Sequence, residues 1–379
     1  MSCSNAVILF VVTLVAAIGT NANANPVRWI DGKDLPVEGK AFDDVESYYD
    51  RLPAGVTTNV NADVRSLKHH ATGMQHRFVT DSKNLVFRWV PSSKKLADDN
   101  MTQIGESGID IYRQATDGKW WYVKTGRIYS PTGGECAVTW RPGTPCLVNL
   151  PLYNGLESFL LGVDVGAEVK PLPPRQNGVT KPVVFYGTSI TQGGSASRPG
   201  LAFVNIIGRD LDVPIVNLGF SGSGVMEYEM SEHLARIDAS CYVLDCLWNM
   251  SLREADRPGR AVETNYEPFI RNLRAKRPGV PIVMAEKSDV TCGPACEMDV
   301  YIRKLYEKLV KEGWRDLVYL PKTEMYSGDR EGTIDGTHPN DLGMVSLSRA
   351  YGMAVKKALG IGGGHAGVAM PEVKRRGAW

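Results

Sequence analysis

Hydrophobic and polar residues follow two different patterns along the chain. In the first part, short apolar and aromatic runs such as LVFRWV (85–90) alternate with turn residues, a pattern typical of strands. Asp117-Gly118 separates IDIYRQ from KWWYVK, which predicts a hairpin with a two-residue turn. Residues 25–170 are therefore predicted to form an all-β sandwich.

The second part alternates short apolar runs with longer segments of helical patterning. The runs are PVVFYG (182–187), PIVNLG (214–219), YVLDCL (242–247), PIVMAE (281–286) and DLVYLP (316–321). Strands that alternate with helices build a parallel sheet covered on both faces. We predict an α/β domain over 179–361, with a doubly wound five-stranded parallel sheet and a closing helix at 342–359.

Three segments lie outside these two predicted domains. PLPPRQNG (171–178) is predicted to be a linker because three prolines and a glycine suit neither a helix nor a central strand. Residues 1–24 contain the apolar run 6–18 followed by Ala22-Asn23-Ala24, which predicts a signal peptide and a secreted or periplasmic protein. An uncleaved anchor is the alternative. The glycine-rich and then basic tail (362–379) is predicted to be flexible.

Composition and charge exclude several classes of protein. The 379 residues contain 43 Lys and Arg against 42 Asp and Glu, so the formal net charge is +1. This balance gives no overall field for nucleic acid or for an anionic membrane. A content of 43% hydrophobic and 22% charged residues is that of an ordinary globular chain. We therefore expect neither a nucleic-acid partner nor a membrane partner after signal cleavage, and we seek a local site for a small molecule or a polysaccharide.

Six cysteines remain once Cys3 leaves with the signal peptide. Two short loops are expected to be closed by disulfides in an oxidising compartment, Cys136–Cys146 and Cys292–Cys296. Cys241 and Cys246 are predicted to be buried thiols on opposite faces of a strand. A zinc site at Cys292-x3-Cys296 would lack a second pair of ligands nearby, so no metal is predicted.

Aromatic residues and histidines are concentrated in the predicted sandwich. The tryptophans are Trp89, Trp120, Trp121 and Trp140. We expect them to fill the core, and the alternative is an exposed platform for sugar rings. The histidines are His69, His70 and His76, and without metal-ligand partners they are interpreted as ordinary surface or core residues.

Candidate chemistry follows the predicted strands, where an open α/β sheet binds its ligands. Ser189 comes directly after the first strand, at a turn that can expose its hydroxyl or simply cap the next helix. The second strand leads into NLGFSGSG (217–224), whose glycine spacing differs from that of a dinucleotide loop. Asn249 follows the third strand, and Asp335 precedes His338 by three residues, close enough for the carboxylate to hold the imidazole.

From about Trp29 to Gly360 the sequence resembles the SGNH (GDSL-type) hydrolase family, in particular the bacterial type with a β-sandwich before the hydrolase. FYGTSITQGG matches its first block with Thr188 in place of the usual aspartate, NLGFSGSG its second, and DCLWNM its third without the G-x-N-D motif. DGTHPN matches the last block. HHATGMQHRF and LPLYNGLESFLLGV extend the resemblance into the sandwich. It implies a flavodoxin-like SGNH domain after a jelly-roll-like sandwich.

The resemblance also implies the roles of the site residues. Ser189 is expected to be the nucleophile, His338 the general base and Asp335 the group that orients the imidazole. The expected oxyanion donors are the N–H groups of Ser189 and Gly222 and the amide of Asn249. No metal or organic cofactor is required.

The leading hypothesis is a secreted serine esterase that removes small acyl groups, chiefly acetyl, from carbohydrate. The small and polar loop after the nucleophile, residues 192–200, favours short acyl chains. Arg198 in this loop is expected to contact a sugar hydroxyl or carboxylate, or to be a plain surface arginine. The alternatives are a lipase-like or lysophospholipase-like acylhydrolase and a non-catalytic carbohydrate-binding protein. The sequence leaves the acyl acceptor and the oligomeric state open.

Overall fold

The computed structural model describes residues 26–56 and 60–361. The predicted signal peptide and the predicted flexible tail lie outside these ranges. Within them, no helix has the length and apolar composition needed to cross a membrane.

The N-terminal region, residues 26–56 and 60–171, is rich in antiparallel strands. In chain order its elements are β1 (Val27–Asp31), β2 (Val37–Glu38), α1 (Ala62–Leu67), β3 (Gln75–Thr80), β4 (Asn84–Pro91), α2 (Gln103–Ser107), β5 (Ile109–Gln114), β6 (Trp120–Gly126), β7 (Gly134–Thr139), β8 (Pro145–Asn149), β9 (Leu156–Asp164) and β10 (Val169–Pro171). One sheet has the order β1-β9-β4-β7 and the other the order β10-β3-β8-β5-β6, with β2 beside β3. The predicted β-rich region is confirmed, and its jelly-roll connection stays a prediction.

Strand β4 shows how the N-terminal region forms its core. Leu85, Phe87 and Trp89 alternate with more exposed residues and are buried, as the period of two in a half-buried strand requires. Trp140 is also buried, so the core prediction holds for this residue and Trp89. It is wrong for Trp121, whose side chain on the edge strand β6 is 58% exposed.

The predicted hairpin of β5 and β6 is present, but its loop is longer than two residues. Gln114 pairs with Trp120, so residues 115–119 form the loop. The N–H of Ala115 donates to the carbonyl of Lys119 at 2.7 Å, and Gly118 adopts a φ of +82°. Asp117 Oδ1 accepts from the N–H of Lys119, so the Asp-Gly pair closes a wider turn than the sequence suggested.

The α/β unit begins with β11 and ends with α8. Its elements are β11 (Val183–Gly187), α3 (Ser189–Gln192), α4 (Phe203–Asp210), β12 (Ile215–Gly219), α5 (Tyr228–Arg236), β13 (Cys241–Asp245), α6 (Val262–Lys276), β14 (Ile282–Ala285), α7 (Glu297–Lys311), β15 (Leu317–Leu320) and α8 (Asp341–Leu359). Each of the five predicted runs contains one parallel strand, in the order β12-β11-β13-β14-β15. This is the flavodoxin-like order 2-1-3-4-5, as expected.

Helices cover both faces of the parallel sheet and separate two hydrophobic clusters. One cluster contains apolar residues of α5, α6 and α7, and the other contains residues of α4 and α8. Cys246 belongs to the first cluster and Cys241 to the second. The prediction that these two buried cysteines lie on opposite faces of the sheet is therefore confirmed.

The two predicted disulfides are wrong, because all six cysteines of the described residues are free thiols. Cys136 pairs with Phe87 in one sheet and Cys146 with Phe78 in the other, so the loop between them crosses from sheet to sheet. Between Cys292 and Cys296 the loop is fixed by carboxylates instead. Asp289 accepts from the N–H of Gly293, and Asp299 accepts from the N–H of Cys296, each at 2.9 Å.

The N-terminal region packs directly against the parallel sheet. Phe42, Leu52 and Val64 share one hydrophobic cluster with residues of β11 and β12. Arg51, only 1% exposed, donates from Nη1 to the carbonyls of Asn217 and Gly219 on the edge strand β12, at 3.2 and 2.6 Å. An open sheet edge presents unpaired carbonyls, and Arg51 satisfies two of them.

Candidate active site

Ser189 lies at the carboxyl end of β11, on the first turn of α3. Thr188 caps this helix by accepting from the N–H of Ile190 at 3.2 Å, so the hydroxyl of Ser189 is free of a capping role. The strand turns sharply here because Gly187 has no side chain. A Cβ at this position would lie 2.0 Å from Thr191 Oγ1.

The predicted catalytic trio is brought together. Ser189 Oγ lies 3.0 Å from His338 Nε2, and His338 Nδ1 lies 2.7 Å from Asp335 Oδ2. The carboxylate can only accept, so Nδ1 carries the proton and Nε2 accepts from the serine hydroxyl. This tautomer is the one that a general base beside a nucleophile requires.

Asp335 is held in its ionised form by hydrogen bonds. Its Oδ1 accepts from the backbone N–H groups of Thr337 and His338 at 2.9 and 2.7 Å. Partial burial acts to raise the pKa of Asp335, but the bonds from the His338 ring and these two N–H groups outweigh it and lower the pKa. The carboxylate therefore stays charged at neutral pH and keeps the imidazole oriented.

The loop after β12 leaves one backbone donor unused. Phe220 N–H donates to the carbonyl of Gly187 at 2.9 Å, and Ser221 N–H donates to Gln192 Oε1 at 3.0 Å. Gly222 has a φ of +68°, which favours glycine. Among the described residues, no acceptor is hydrogen-bonded to the N–H of Gly222 or to that of Ser189. These two N–H groups are the predicted oxyanion donors.

Asn249 lies on a 3₁₀ turn, Leu247–Asn249, that follows β13. The amide orientation that satisfies its neighbours lets Oδ1 accept from the N–H groups of Ser223 and Gly224 at 3.0 and 3.1 Å. The opposite orientation offers one bond, from Nδ2 to the carbonyl of Phe220 at 3.3 Å. With Oδ1 engaged by the loop, Nδ2 points away from it and remains available as the third donor.

Several residues at the site were not identified from the sequence. Tyr153 OH donates to the carbonyl of Ser189 at 3.0 Å, and Arg260 Nη1 donates to the carbonyl of Gly222 at 2.5 Å. His70, interpreted as an ordinary histidine, contacts the side chain of Gln192. His70 and Tyr153 do lie in the two N-terminal segments that carry the family resemblance, which was the available signal.

Arg198 is not a plain surface arginine, and its expected contact with substrate stays a prediction. Its Nη1 lies 2.7 Å from Oδ2 of the buried Asp110, and its guanidinium lies over the ring of Tyr122 at 4.3 Å from the centroid. Thr102 of the N-terminal region also donates to the carbonyl of Ser197 at 2.6 Å. The loop after α3 therefore contacts the N-terminal region through Ser197 and Arg198.

One group of side chains has the composition of a metal site. The ligand atoms of Glu46, Asp50 and His69 lie within 4.8 Å of one another. They already have partners, because Lys68 Nζ lies 3.1 Å from Glu46 Oε2 and His69 Nδ1 lies 2.9 Å from Asp50 Oδ1. This group is accordingly interpreted as an ion-pair cluster.

Comparison with known families matches both regions of the chain. Residues 180–356 match the GDSL-like lipase/acylhydrolase family, and residues 27–169 match the N-terminal domain of SGNH-hydrolase-type esterases. The comparison with curated protein sequences gives no match.

Three solved structures are similar along most of the chain. A protein from Bacteroides ovatus ATCC 8483 described as a GDSL-like lipase is 29% identical, with a TM-score of 0.78, over 88% of this chain and 98% of that one. The salicylyl-acyltransferase SsfX3 from a tetracycline biosynthetic pathway is 19% identical, with a TM-score of 0.68 and the same coverage. A family two carbohydrate esterase from Clostridium thermocellum is 12% identical, with a TM-score of 0.52, over 76% of this chain and 92% of that one. The last two establish likeness of fold.

The fold and the two family matches define a hydrolase of carboxylic esters. The chain belongs to the SGNH (GDSL-type) hydrolase family, in the two-domain form in which the N-terminal domain of SGNH-type esterases precedes the hydrolase domain.

Proposed function

We propose that this protein is a serine esterase that removes small acyl groups, chiefly acetyl, from carbohydrate. The observation that carries the catalytic part is the chain of contacts from Ser189 Oγ to His338 Nε2 and from His338 Nδ1 to Asp335 Oδ2, at 3.0 and 2.7 Å. The same edge of the sheet offers unpaired N–H groups for an oxyanion.

The proposed reaction has two steps. Ser189 Oγ attacks the ester carbonyl while its proton passes to His338 Nε2, which then protonates the leaving alcohol as the acyl-enzyme forms. A water molecule, deprotonated by the same nitrogen, attacks the acyl-enzyme and releases the acid. The N–H groups of Ser189 and Gly222 and Asn249 Nδ2 stabilise the tetrahedral oxyanion in both steps.

Close packing beside the nucleophile supports a small acyl group. A Cβ at Gly194 would lie 2.8 Å from Tyr153 OH, 3.0 Å from the Ser189 carbonyl and 3.5 Å from His338 Cδ2. The backbone at Gly194 packs tightly beside Ser189 and His338. An acetyl group therefore fits the proposal better than a long chain.

Exposed aromatic residues support the carbohydrate part of the proposal. Trp121 and Tyr129 are 58% and 78% exposed. Their flat rings suit the apolar faces of sugar rings.

A lipase-like acylhydrolase is the second candidate. Ile334 and Leu342 lie on either side of His338 in the sequence and are 47% and 59% exposed. The N–H of Ile334 also donates to the carbonyl of His338 at 3.0 Å. These two side chains could contact a longer acyl chain if the substrate approaches along the histidine loop.

A series of p-nitrophenyl esters from two to eight carbons separates the two candidates. The proposed deacetylase has its highest kcat/KM with acetate and then releases acetate from acetylated polysaccharides. A steady rise of several-fold per methylene would instead favour the lipase-like candidate. A fluorophosphonate probe that labels the wild type but not Ser189→Ala would exclude the non-catalytic binding protein.

Export also remains a proposal. Expression of the full chain in a bacterium, followed by sequencing of the N terminus of the exported product, tests cleavage after Ala24. Retention of the complete N terminus in the membrane fraction would favour the uncleaved anchor.

A further inference from the structure

Gln192, the last residue of α3, connects the nucleophile helix to two other segments. Its side chain is fully buried, at 0% exposure. Oε1 accepts from the N–H of Ser221 at 3.0 Å, while Nε2 lies 3.1 Å from the carbonyl of Leu152 and 2.9 Å from His70 Nδ1. The amide therefore uses both hydrogens and its oxygen, and two of its three partners belong to the N-terminal region.

The bond to His70 fixes the direction of the Gln192 amide. Nε2 of Gln192 can only donate, so Nδ1 of His70 must accept, which requires a neutral imidazole. Burial, with smaller contributions from the charges of Arg51 and His69, lowers the pKa of His70 to about 3. The imidazole therefore stays an acceptor throughout the range in which an esterase works.

Ser221, whose N–H donates to Oε1 of Gln192, directly precedes Gly222, a predicted oxyanion donor. The N–H of Gly222 belongs to the Ser221–Gly222 peptide, and the N–H of Ser221 belongs to the peptide before it. The bond to Gln192 therefore fixes the peptide plane that immediately precedes the one carrying the Gly222 donor. Side-chain packing cannot supply this restraint at Gly222, because a Cβ there would meet nothing within 4 Å. Hydrogen bonds must do so, from Gln192 on one side and from Arg260 to the Gly222 carbonyl on the other.

We propose that Gln192 is a positioning residue for the oxyanion donor Gly222, and that His70 and Leu152 of the N-terminal region fix the orientation of its amide. The inference rests on the proposed function, since it assigns Gly222 to the oxyanion. It makes the N-terminal region part of the apparatus that stabilises the transition state. A contact of this kind acts on kcat, because the oxyanion exists only in the transition state and the intermediates.

Two substitutions test the hydrogen bonds of the Gln192 side chain, one at Gln192 and one at its partner His70. Gln192→Met keeps the approximate volume and loses the three hydrogen bonds, and His70→Leu removes the acceptor for Nε2. His70→Asn is the conservative variant, because an amide oxygen can replace Nδ1 as the acceptor. Thr72→Val is the matched control. Thr72 is equally buried in the N-terminal region and donates to the backbone carbonyl of the same Gln192, at 2.7 Å, without touching its side chain.

The measurements are kcat and KM for p-nitrophenyl acetate, expressed per active site titrated with a fluorophosphonate, with circular dichroism and thermal unfolding alongside. We expect Gln192→Met and His70→Leu to lower kcat roughly 10- to 100-fold, below the full loss of one oxyanion donor, with KM changed less than about threefold. His70→Asn should recover most of kcat, and Thr72→Val should keep it.

Several results would overturn the inference. A kcat per titrated site that stays at the wild-type value in Gln192→Met and His70→Leu would show that the link is only structural. An equal loss in Thr72→Val would assign the effect to general docking of the two regions. If Gln192→Met does not fold, the comparison of His70→Leu with His70→Asn decides alone. Failure of the proposed function looks different, because then the wild type is inactive or Ser189→Ala retains activity.

Discussion

The two halves of the candidate site are built in different ways. Ser189 and Asn249 are 8% and 7% exposed and follow strands of the central sheet. The side chains of Asp335 and His338 are 41% and 22% exposed and lie between the 3₁₀ turn Lys322–Met325 and α8, on a loop outside the sheet. Thr333 Oγ1 donates to the carbonyl of His338 at 2.8 Å, so the histidine loop is stabilised by its own residues.

The whole fold therefore sets the positions of the residues in the serine half, whereas a local loop sets those in the histidine half. The serine half is fixed by the sheet, by the loop after β12 and by the N-terminal region. In the histidine half, Asp335 and His338 are held by bonds to each other and to Thr333 and Thr337 of the same loop. Apart from Ser189 itself, whose hydroxyl contacts only His338, substitutions in the serine half should therefore alter both activity and stability, whereas those in the histidine half should alter mainly activity.

The largest effect is expected for Ser189→Ala, which removes the proposed nucleophile of the serine half. Removal of the hydroxyl should lower kcat by roughly four to six orders of magnitude, because no acyl-enzyme can form. The fold should be unaffected, since Oγ contacts only His338 among the hydrogen bonds of the described residues. Substantial hydrolysis of p-nitrophenyl acetate by the purified variant would disprove the nucleophile assignment.

Asp335→Asn should lower kcat by on the order of 10⁴-fold, because an amide permits the wrong imidazole tautomer. Thermal unfolding should shift little, since the carboxylate is exposed. Asp329→Asn is the control, because Asp329 lies on the same loop and accepts only from the N–H of Glu331. A near-wild-type rate would mean that another carboxylate orients His338, and a large loss of stability would contradict the local character of this half.

Asn249→Ala should lower kcat about 10²- to 10³-fold, as for other side-chain oxyanion donors. It should also destabilise the fold by about 1 kcal/mol, because the N–H groups of Ser223 and Gly224 lose the Asn249 oxygen and keep only the carbonyl of Phe220 as acceptor. Asn249→Asp separates the two effects. It keeps the acceptor oxygen but cannot donate, so its activity should fall while the loop contacts persist. Full activity of Asn249→Asp would reverse the amide orientation assigned to Asn249.

Asp245 offers a smaller, pH-dependent test of the serine half. It is 1% exposed and accepts from Thr191 Oγ1 at 2.7 Å beneath α3, and burial raises its pKa from 3.8 to about 6. A raised carboxyl pKa contributes stability that is fully present below the unfolded-state value and is lost as the pH rises to about 6. Its ionisation should cost about 3 kcal/mol at pH 7.

The measurement is the free energy of unfolding of the wild type and Asp245→Asn between pH 4 and pH 7. The variant should gain stability over the wild type by up to this amount as the pH rises. Parallel stability curves for wild type and Asp245→Asn would show that the pKa of Asp245 is the same in the folded and unfolded protein, as for a solvated carboxylate.

The sequence predicts elements that local patterns determine. All five parallel strands and the closing helix follow from apolar runs whose length and spacing belong to the segments themselves. The residues Ser189, His338 and Asp335 could also be identified from the sequence, because Ser189 follows a strand and Asp335 lies three positions before His338. Local periodicity and strand-end position were sufficient for these features.

The sequence misses what depends on distant contacts. Cys136 and Cys146 flank a short loop, yet they belong to different sheets, which spacing alone cannot reveal. His70 acquires its role only through Gln192, 122 positions later. Arg198 looked available for substrate because its partner Asp110 lies in the other region of the chain.

The segment that carries Phe42, Leu52 and Val64 has a consequence for the order in which the chain folds. These residues share a cluster with Tyr186, Phe220 and Phe269, which are synthesised well over a hundred residues later. While the nascent chain grows, the early apolar side chains have no sheet to cover them, so the N-terminal region cannot complete its packing on its own. In a nascent chain on a ribosome stalled before Phe269, the segment around residue 50 should be sensitive to protease. The same segment should become resistant once α6 has emerged from the ribosome.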